Sequence, residues 1–206
     1  MTNANASLRW LAGGSPNLAE AREAIRRIVR DGNRAGVVTR RIRALYTKTD
    51  AAKERLDVNE TIGEVVILTE SEMRRNRVVL QKELAANLPP IIGDRVQLQQ
   101  VVLNLMLNGI EAMSTVEDRP RELVIRTQRS EGNDAVCVAV QDSGIGVDPK
   151  SGERIFDAFH TTKPDGLGLG LSISRSIVQD HGGRLSAVSN DGPGATFQFW
   201  VPAAKA

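Results

Sequence analysis

The chain has 206 residues, of which 41% are hydrophobic, and its 27 basic residues nearly balance its 25 acidic ones. This length allows one domain or two small ones, and the small net charge requires neither a nucleic acid nor a membrane surface as a partner. The single cysteine, Cys137, excludes an internal disulfide framework, no apolar run is long enough to cross a bilayer, and the first residues lack a signal-peptide pattern. We therefore expect a cytoplasmic protein that makes no membrane contact and binds no nucleic acid.

The first part of the chain has helical patterns. Residues 1–11 are weakly helical, and Ser15-Pro16-Asn17 is typical of a helix start. Beyond it, apolar or small residues recur at alternating spacings of three and four, at Leu18, Ala21, Ile25, Ile28, Gly32, Ala35, Thr39, Ile42 and Tyr46. This heptad pattern predicts one helix of a dimeric four-helix bundle, and hence a homodimer. The alternative is a lone amphipathic helix packed on its own domain.

The rest of the chain mixes helical and alternating patterns. Residues 47–56 are polar and are predicted to be a hinge, and residues 88–94 a loop. Residues 58–76 are predicted to be a strand end followed by a helix, and further helices are predicted in residues 94–113 and 171–178. Strands are predicted in residues 77–84, 123–127 and 135–141, and residues 183–189 and 195–201 form a predicted hairpin. Helices on one face of a mixed sheet give the α+β class, as a two-layer α/β sandwich.

The predicted helix of residues 94–113 contains two unusual polar positions. Its apolar residues recur at helical spacing, at Val96, Leu98, Val101, Val102, Leu105, Met106, Ile110 and Met113. Asn104 and Asn108 lie one turn apart and therefore on the same face. Two buried amides are costly unless they find hydrogen-bond partners, so this face is a candidate functional site.

Residues 142–171 hold two glycine clusters around a hydrophobic anchor. In chain order, the marked residues are Asp142, Gly144, Gly146, Ile155, Phe156, Phe159, Gly166, Gly168 and Gly170. Glycine is favoured where the backbone takes positive φ or approaches a ligand closely. The first cluster follows a strand end that presents Asp142, and the second leads into a helix whose N–H groups can face phosphates. The pattern predicts a nucleotide pocket with a mobile cover.

Three other nucleotide-binding patterns do not fit this sequence. The dinucleotide fingerprint needs a strand before its glycines, but Pro164-Asp165 precede the second cluster. A Walker-type loop needs a Gly-Lys pair, which the sequence lacks. The catalytic-loop and Asp-Phe-Gly motifs of protein kinases are also absent.

Taken in order, these segments resemble the motifs of a known family. The N, G1, F and G2 boxes of sensor histidine kinases are matched by Asn104-x-x-x-Asn108, Asp142-Ser-Gly-Ile-Gly146, Phe156…Phe159 and Gly166-Leu-Gly-Leu-Gly170, and the closing motif by Gly192-Pro-Gly-Ala-Thr196. The resemblance covers the chain from about Leu56 onward. It implies a Bergerat-type catalytic ATP-binding domain in residues 51–206, preceded in residues 1–50 by part of the helical dimerisation hairpin. It also implies ATP and Mg²⁺, transfer of the γ-phosphoryl group to a histidine, and relay to a response regulator receiver domain.

The resemblance assigns roles around the base of the nucleotide. Asp142 is expected to accept a hydrogen bond from the exocyclic amine of adenine, with Thr196 reaching the ring through water. The alternative is that Asp142 merely caps its own turn. Gly144 and Gly146 are expected to let the backbone approach the base and sugar.

It also assigns roles around the phosphates. Asn108 is the expected Mg²⁺ ligand through its amide oxygen, and Asn104 supports it or a bound water. Lys163 is expected to contact a phosphate, although an ordinary solvated lysine is the alternative. Phe156 and Phe159 are expected to pin the root of the lid to the core. The lid backbone that closes over the phosphates is expected to be Gly166, Leu167, Gly168, Leu169 and Gly170.

The family carries its phosphoacceptor histidine on the first helix of the dimerisation hairpin, and this chain has none there. The sequence contains only His160 and His181, for which structural or solvent-facing roles are expected. We therefore expect the phosphoacceptor helix to be largely missing from this chain, which would then be unable to phosphorylate itself.

Three other functions compete with a histidine kinase. An ATPase of the same fold carries a glutamate one turn before the metal-binding asparagine, but that position here is Asn104, which cannot take a proton near neutral pH. A non-catalytic nucleotide-binding dimerisation module fits the absence of an acceptor histidine. The heptad pattern argues against the third function, a serine kinase of the anti-sigma type.

Overall fold

The computed structural model describes residues 2–12, 17–28, 53–130, 132, 134–161 and 167–204, which divide between two compact units, residues 1–49 and residues 50–206. No helix in these described ranges is long and apolar enough to cross a membrane. The elements are α1 (Thr2–Leu11), α2 (described over residues 18–28), β1 (Glu54–Leu56), α3 (Val58–Asn76), β2 (Val79–Leu84), β3 (Ile91–Gly93), α4 (Arg95–Ala112), β4 (Glu122–Arg129), β5 (Ala135–Asp142), a 3₁₀ segment (Pro149–Phe156), α5 (Gly170–Asp180), β6 (Arg184–Ser189) and β7 (Ala195–Pro202).

The first unit contains the two N-terminal helices. Asn17 caps α2, because its Oδ1 accepts a hydrogen bond from the N–H of Glu20 at 3.2 Å. Of the larger apolar residues on α2, Leu18, Ile25 and Ile28 are 58%, 45% and 37% exposed. The heptad positions from Gly32 to Tyr46 lie outside the described residues, so the dimeric bundle stays a prediction.

The second unit is built on a five-stranded sheet in the order β2-β4-β5-β7-β6. Only the β2–β4 pair among these strands is parallel. Helices α3, α4 and α5 cover one face, and the core lies between them and the sheet. The fully buried residues include Ile62 and Val65 of α3, Leu105, Met106 and Ile110 of α4, and Leu123, Ile125 and Val138 of the central strands. The predicted α+β sandwich is therefore confirmed.

The beginning of α4 is joined to the end of α5 through a buried histidine. The Nε2 atom of His181 accepts a hydrogen bond from the N–H of Asp94 at 3.0 Å, while its Nδ1 lies 2.7 Å from the carbonyl oxygen of Ile177. An acceptor at Nε2 and a donor at Nδ1 define the neutral imidazole with its proton on Nδ1. The structural role expected for His181 is confirmed.

Several local predictions were wrong. Residues 58–76 do not begin with a strand end, because helix α3 already starts at Val58, where Asp57 caps it by accepting hydrogen bonds from the N–H groups of Asn59 and Glu60. The strand lies earlier, in β1, which pairs with β3; the predicted hinge and the predicted loop therefore each contain a short strand. Val96, the first residue of the apolar pattern in this helix, is exposed on the first turn of α4, unlike the pattern's later members.

We expect the N-cap of α4 to contribute to stability. The Oδ1 of Asp94 accepts hydrogen bonds from the N–H groups of Val96 and Gln97 at 2.9 and 3.1 Å. Replacing this buried side chain in Asp94→Ala should lower the free energy of unfolding by about 1 kcal/mol, measured by urea denaturation. Asp94→Asn is the control, because its amide oxygen can still cap the helix. Equal losses in both variants would contradict the capping role.

Candidate functional site

The carboxylate of Asp142 lies at the end of β5 and is only 3% exposed. Its Oδ1 accepts a hydrogen bond from the N–H of Gly144 at 2.8 Å, and the N–H of Ala195 also contacts the carboxylate. Burial raises the pKa of Asp142 above its ordinary value of 3.8, although these two backbone hydrogen bonds act in the opposite direction. The structure thus places a buried acceptor at a strand end, in contact with two loops.

At two glycines beside Asp142 the backbone packs too closely for a side chain. A Cβ on Gly144 would lie 2.7 Å from the carbonyl oxygen of Ala112 at the end of α4. A Cβ on Gly194, whose φ is +94°, would lie 1.9 Å from the carbonyl oxygen of Asp142. Gly146, with φ +78°, faces the carbonyl of Gly194. The loop 142–146 is therefore held between α4 and the turn that precedes β7.

Helix α4 brings the two asparagines to the same region. Gly109, the residue after Asn108, packs against Asp142, since a Cβ there would lie 3.3 Å from the Asp142 Cβ. Asn108 is half-buried, and its side chain makes no hydrogen bond to another described residue. Asn104 is buried, and its Nδ2 lies 3.4 Å from both the Gly170 carbonyl oxygen and the Ser174 Oγ of α5. The partners that a buried Asn104 requires are thus supplied by α5.

The structure does not bring the Thr196 hydroxyl to the Asp142 carboxylate. Thr196 pairs with Gln141 in the sheet, so its side chain projects from the face opposite to that of Ala195 and Asp142. Its Oγ1 donates a hydrogen bond to the Oδ1 of Asn190 at 2.7 Å. The Nδ2 of Asn190 in turn donates to the carbonyl oxygen of Asp142 at 3.0 Å. Thr196 therefore reaches the loop only through Asn190, on the backbone side.

The lid is described only at its two ends. Lys163 and Gly166 lie outside the described residues. At the root, the N–H of Phe159 donates to the carbonyl oxygen of Gly168 at 3.0 Å. Leu167 is exposed, Leu169 is buried, and Gly170 is the first residue of α5, whose N-terminus carries no capping side chain. The N–H groups of this first turn are therefore free of a side-chain competitor for an anion.

The two phenylalanines of the lid root behave differently. Phe156 is 4% exposed, and the guanidinium of Arg175 from α5 lies 5.4 Å from its ring centroid. Phe159 is 75% exposed and has a φ of +67°, which is unfavourable for an aromatic residue. The prediction that both rings pin the lid is correct for Phe156 and wrong for Phe159, because the left-handed backbone at Phe159 turns its ring to solvent.

Two residues that hold the loop after Asp142 were missed at the sequence level. Asn190 lies in the turn of the predicted hairpin and donates to the carbonyl oxygen of Asp142, and the guanidinium of Arg119 donates to the carbonyl oxygens of Ser143 and Gly144. Both bind backbone carbonyls of a segment more than twenty residues away. Such contacts leave no periodicity or spacing in the sequence.

This chain is similar in sequence to a known protein family and to known sensor proteins. The family model described as histidine kinase-, DNA gyrase B-, and HSP90-like ATPase matches residues 93–205. The sensor histidine kinase TmoS of Ectopseudomonas mendocina is 37% identical over 98% of this chain and 21% of its own length. The sensor protein FixL of Bradyrhizobium diazoefficiens is 39% identical over 96% of this chain and 39% of its own length. The chain thus spans well under half of these relatives.

Solved structures agree with the sequence comparisons. The catalytic domain of the histidine kinase ThkA, in a nucleotide-free form, superposes with a TM-score of 0.65 at 33% identity. The alignment covers 73% of this chain and 95% of the ThkA chain. ThkA solved in complex with the response regulator protein TrrA superposes with a TM-score of 0.70 at 25% identity. The alignment covers 98% of this chain and 57% of the ThkA chain.

The close packing at Gly194 can be tested against a nearby glycine. An added Cβ would both strain the positive φ and collide with the Asp142 carbonyl oxygen at 1.9 Å, so Gly194→Ala should lower the free energy of unfolding by roughly 1–3 kcal/mol. Gly192→Ala is the matched control, because no atom lies within 4 Å of its added Cβ. Its change should stay within about 0.5 kcal/mol. Similar urea denaturation midpoints for the two variants would show that the turn does not pack on the loop in this way.

Proposed function

The chain belongs to the family of histidine kinase-, DNA gyrase B- and HSP90-like ATPases, and we propose that it is the ATP-binding catalytic portion of a sensor histidine kinase, which transfers the γ-phosphoryl group of ATP to a histidine. The relative TmoS is named a sensor histidine kinase, and the relative FixL is named a sensor protein. In this proposal residues 51–206 form the catalytic domain and residues 1–50 part of the dimerisation hairpin.

The observation that carries the proposal is the buried carboxylate of Asp142 beside two loops that only glycine can form. A carboxylate accepts hydrogen bonds and can therefore bind the exocyclic amine of adenine but not the oxygen that guanine presents at the same position. The close approach at Gly144 and Gly194 lets the loop pack against the end of α4 and against the turn before β7, which holds the carboxylate in place for a base. Asp142 thus selects adenine.

The phosphates are proposed to bind where α4 and α5 meet. The negatively charged phosphates would be bound by the N–H groups at the uncapped beginning of α5. The backbone of residues 166–170 and the side chain of Lys163 would also contact them. The half-buried amide oxygen of Asn108 suits Mg²⁺, which prefers oxygen ligands and keeps several waters. Bound with ATP, Mg²⁺ would neutralise charge on the phosphates.

The proposed reaction depends on positioning, because a neutral imidazole is already nucleophilic. Asp142 fixes the base, the α5 N-terminus and the lid fix the phosphates, and the domain then presents the γ-phosphoryl group in line with an acceptor histidine supplied by a dimerisation hairpin. Asn104 supports this site by joining α4 to the first turn of α5. An amide there cannot serve as general base for water, which argues against an ATPase.

The proposed partners are a second copy of the chain and a response regulator. The exposed apolar residues Leu18, Ile25 and Ile28 on α2 support a homodimer, because such a stripe on a helix is covered when helices form a bundle. The response regulator is proposed from the ThkA complex with TrrA, in which a histidine kinase binds such a protein.

The phosphotransfer proposal is tested by incubating the chain with γ-labelled Mg·ATP and a separately supplied helical hairpin that carries a phosphoacceptor histidine. We expect acid-labile label on the hairpin and little free phosphate, with label strongly reduced in Asn108→Ala. Steady phosphate release without labelled hairpin would instead identify an ATPase. ATP binding with neither product would identify a nucleotide-binding module.

The raised pKa of Asp142 predicts that ATP affinity falls on acidification at a higher pH than an ordinary aspartate would cause. A protonated carboxyl no longer accepts from the adenine amine, so binding weakens as the pH falls through a pKa that lies above 3.8. Because the pKa of Asp142 is raised in the folded protein, its protonation favours the folded state. The loss of ATP affinity on acidification is therefore not caused by unfolding driven by this group.

The matched control for this pH dependence is Asp142→Asn. Loss of the charged acceptor should weaken ATP binding roughly 10- to 100-fold at neutral pH. Titration of the ATP phosphates affects both proteins, so the difference between their affinity–pH curves, measured with a fluorescent nucleotide at high protein concentration, isolates Asp142. Parallel curves would contradict the role of this carboxylate.

A further inference from the structure

The segment between α4 and β4 contains an arginine that binds two consecutive carbonyl groups of the loop after Asp142. The Nε of Arg119 donates to the Ser143 carbonyl oxygen at 3.0 Å, and its Nη2 donates to the Gly144 carbonyl oxygen at 2.9 Å. The Nη1 atom pairs with the carboxylate of Asp118 at 3.0 and 3.1 Å. Asp118 thus orients the guanidinium, and the guanidinium spans two peptide groups.

This arrangement determines which way the N–H of Gly144 points. The Ser143 carbonyl and the Gly144 N–H belong to one planar trans peptide group and therefore point in opposite directions. Arg119 holds the carbonyl end of that group, and the N–H end donates to the Asp142 Oδ1 at 2.8 Å. If the peptide rotated, both hydrogen bonds would be lost together. Arg119 and Asp142 are therefore linked through one rigid plane.

The next peptide group is held in the same way. The Gly144 carbonyl oxygen accepts from Arg119, and the N–H of Ile145, at the other end of that peptide, donates to the Ala112 carbonyl oxygen at 3.3 Å. One guanidinium thus fixes two successive planes, each anchored at its far end by a different element. Hydrogen bonds from a charged donor are stronger than those between neutral groups, which suits this task.

We propose that Arg119 is a positioning residue for nucleotide recognition, which sets the orientation of the Asp142 carboxylate through the Ser143–Gly144 peptide. This inference rests on the proposed function, since it concerns the same adenine site. Arg119 itself need not touch the nucleotide. Without it, the peptide can turn, the carboxylate loses the N–H of Gly144, and its preference for an amine donor weakens.

Arg121 offers a matched comparison two residues away. Its guanidinium also donates to backbone carbonyls, those of Val116, Asn76 and Ser114, at 2.9, 2.9 and 3.1 Å. These carbonyls lie at the ends of α3 and α4 and not in the loop 142–146. A purely structural role for Arg119 would make the two arginines equivalent in a nucleotide-binding assay, whereas a positioning role separates them.

The test measures the affinities for ATP and for GTP by calorimetry on the full 206-residue chain, together with the melting temperature of each variant. Arg119→Ala should weaken ATP binding about tenfold, as expected for lost hydrogen bonds to a charged group, and should leave the weaker GTP binding unchanged. Arg119→Lys retains the charge and one contact and should be intermediate. Arg121→Ala should lower the melting temperature without changing either affinity.

Equal ATP affinity in wild type and Arg119→Lys, in which folding is least disturbed, would overturn the inference, and so would equal losses in Arg119→Ala and Arg121→Ala. A parallel loss of ATP and GTP affinity in Arg119→Ala would also overturn it, because base selection would then be untouched. If the wild-type chain itself failed to bind ATP, the proposed function would fail first and this inference with it. The wild-type measurement therefore separates the two.

Discussion

A carboxylate taken out of water costs free energy unless hydrogen bonds replace its hydration, and the candidate site is arranged around this requirement at Asp142. The partners are the backbone N–H groups of Gly144, in the loop after β5, and of Ala195, at the start of β7 behind the turn that holds Gly194. Both segments must keep their peptide planes fixed, which explains the close backbone packing at Gly194 and the hold of Asn190 on the Asp142 carbonyl. The raised pKa shows that this compensation is partial. An amine donor from a ligand would complete it.

Helix α4 connects this carboxylate to the rest of the domain. Its last turn packs against Asp142 through Gly109, and its buried Asn104 contacts the first turn of α5. The N–H of its N-cap residue, Asp94, donates a hydrogen bond to the Nε2 atom of His181 at the far end of α5. The two helices are therefore fixed to each other at both ends of α5. Because α5 follows the lid directly, the N–H groups that we propose to face the phosphates are positioned by α4, the helix that carries Asn108.

The root of the lid combines a fixed point with a strained one. Phe156 is buried beneath the guanidinium of Arg175, whereas Phe159 has positive φ and exposes its ring. The N–H of Phe159 is nevertheless held by the carbonyl of Gly168. Positive φ at a non-glycine residue costs free energy, so the surrounding hydrogen bonds impose this conformation. The exposed ring is thus a consequence of the backbone path that brings the two ends of the lid together.

By itself the sequence determined the order of the main helices and strands and the motifs around Asn108, Asp142 and the lid glycines, because periodicity and spacing are local properties. Short strands such as β1 and β3 escaped it, since three residues carry too little pattern and exist only by pairing with each other. The tertiary structure alone decided which groups meet across the fold. Arg119 binds the loop after Asp142, and Thr196 turns away from that carboxylate while its neighbour Ala195 faces it. Successive residues of a strand point to opposite faces, so a shift of one position reverses a side chain's surroundings, and register is fixed only when the sheet has formed.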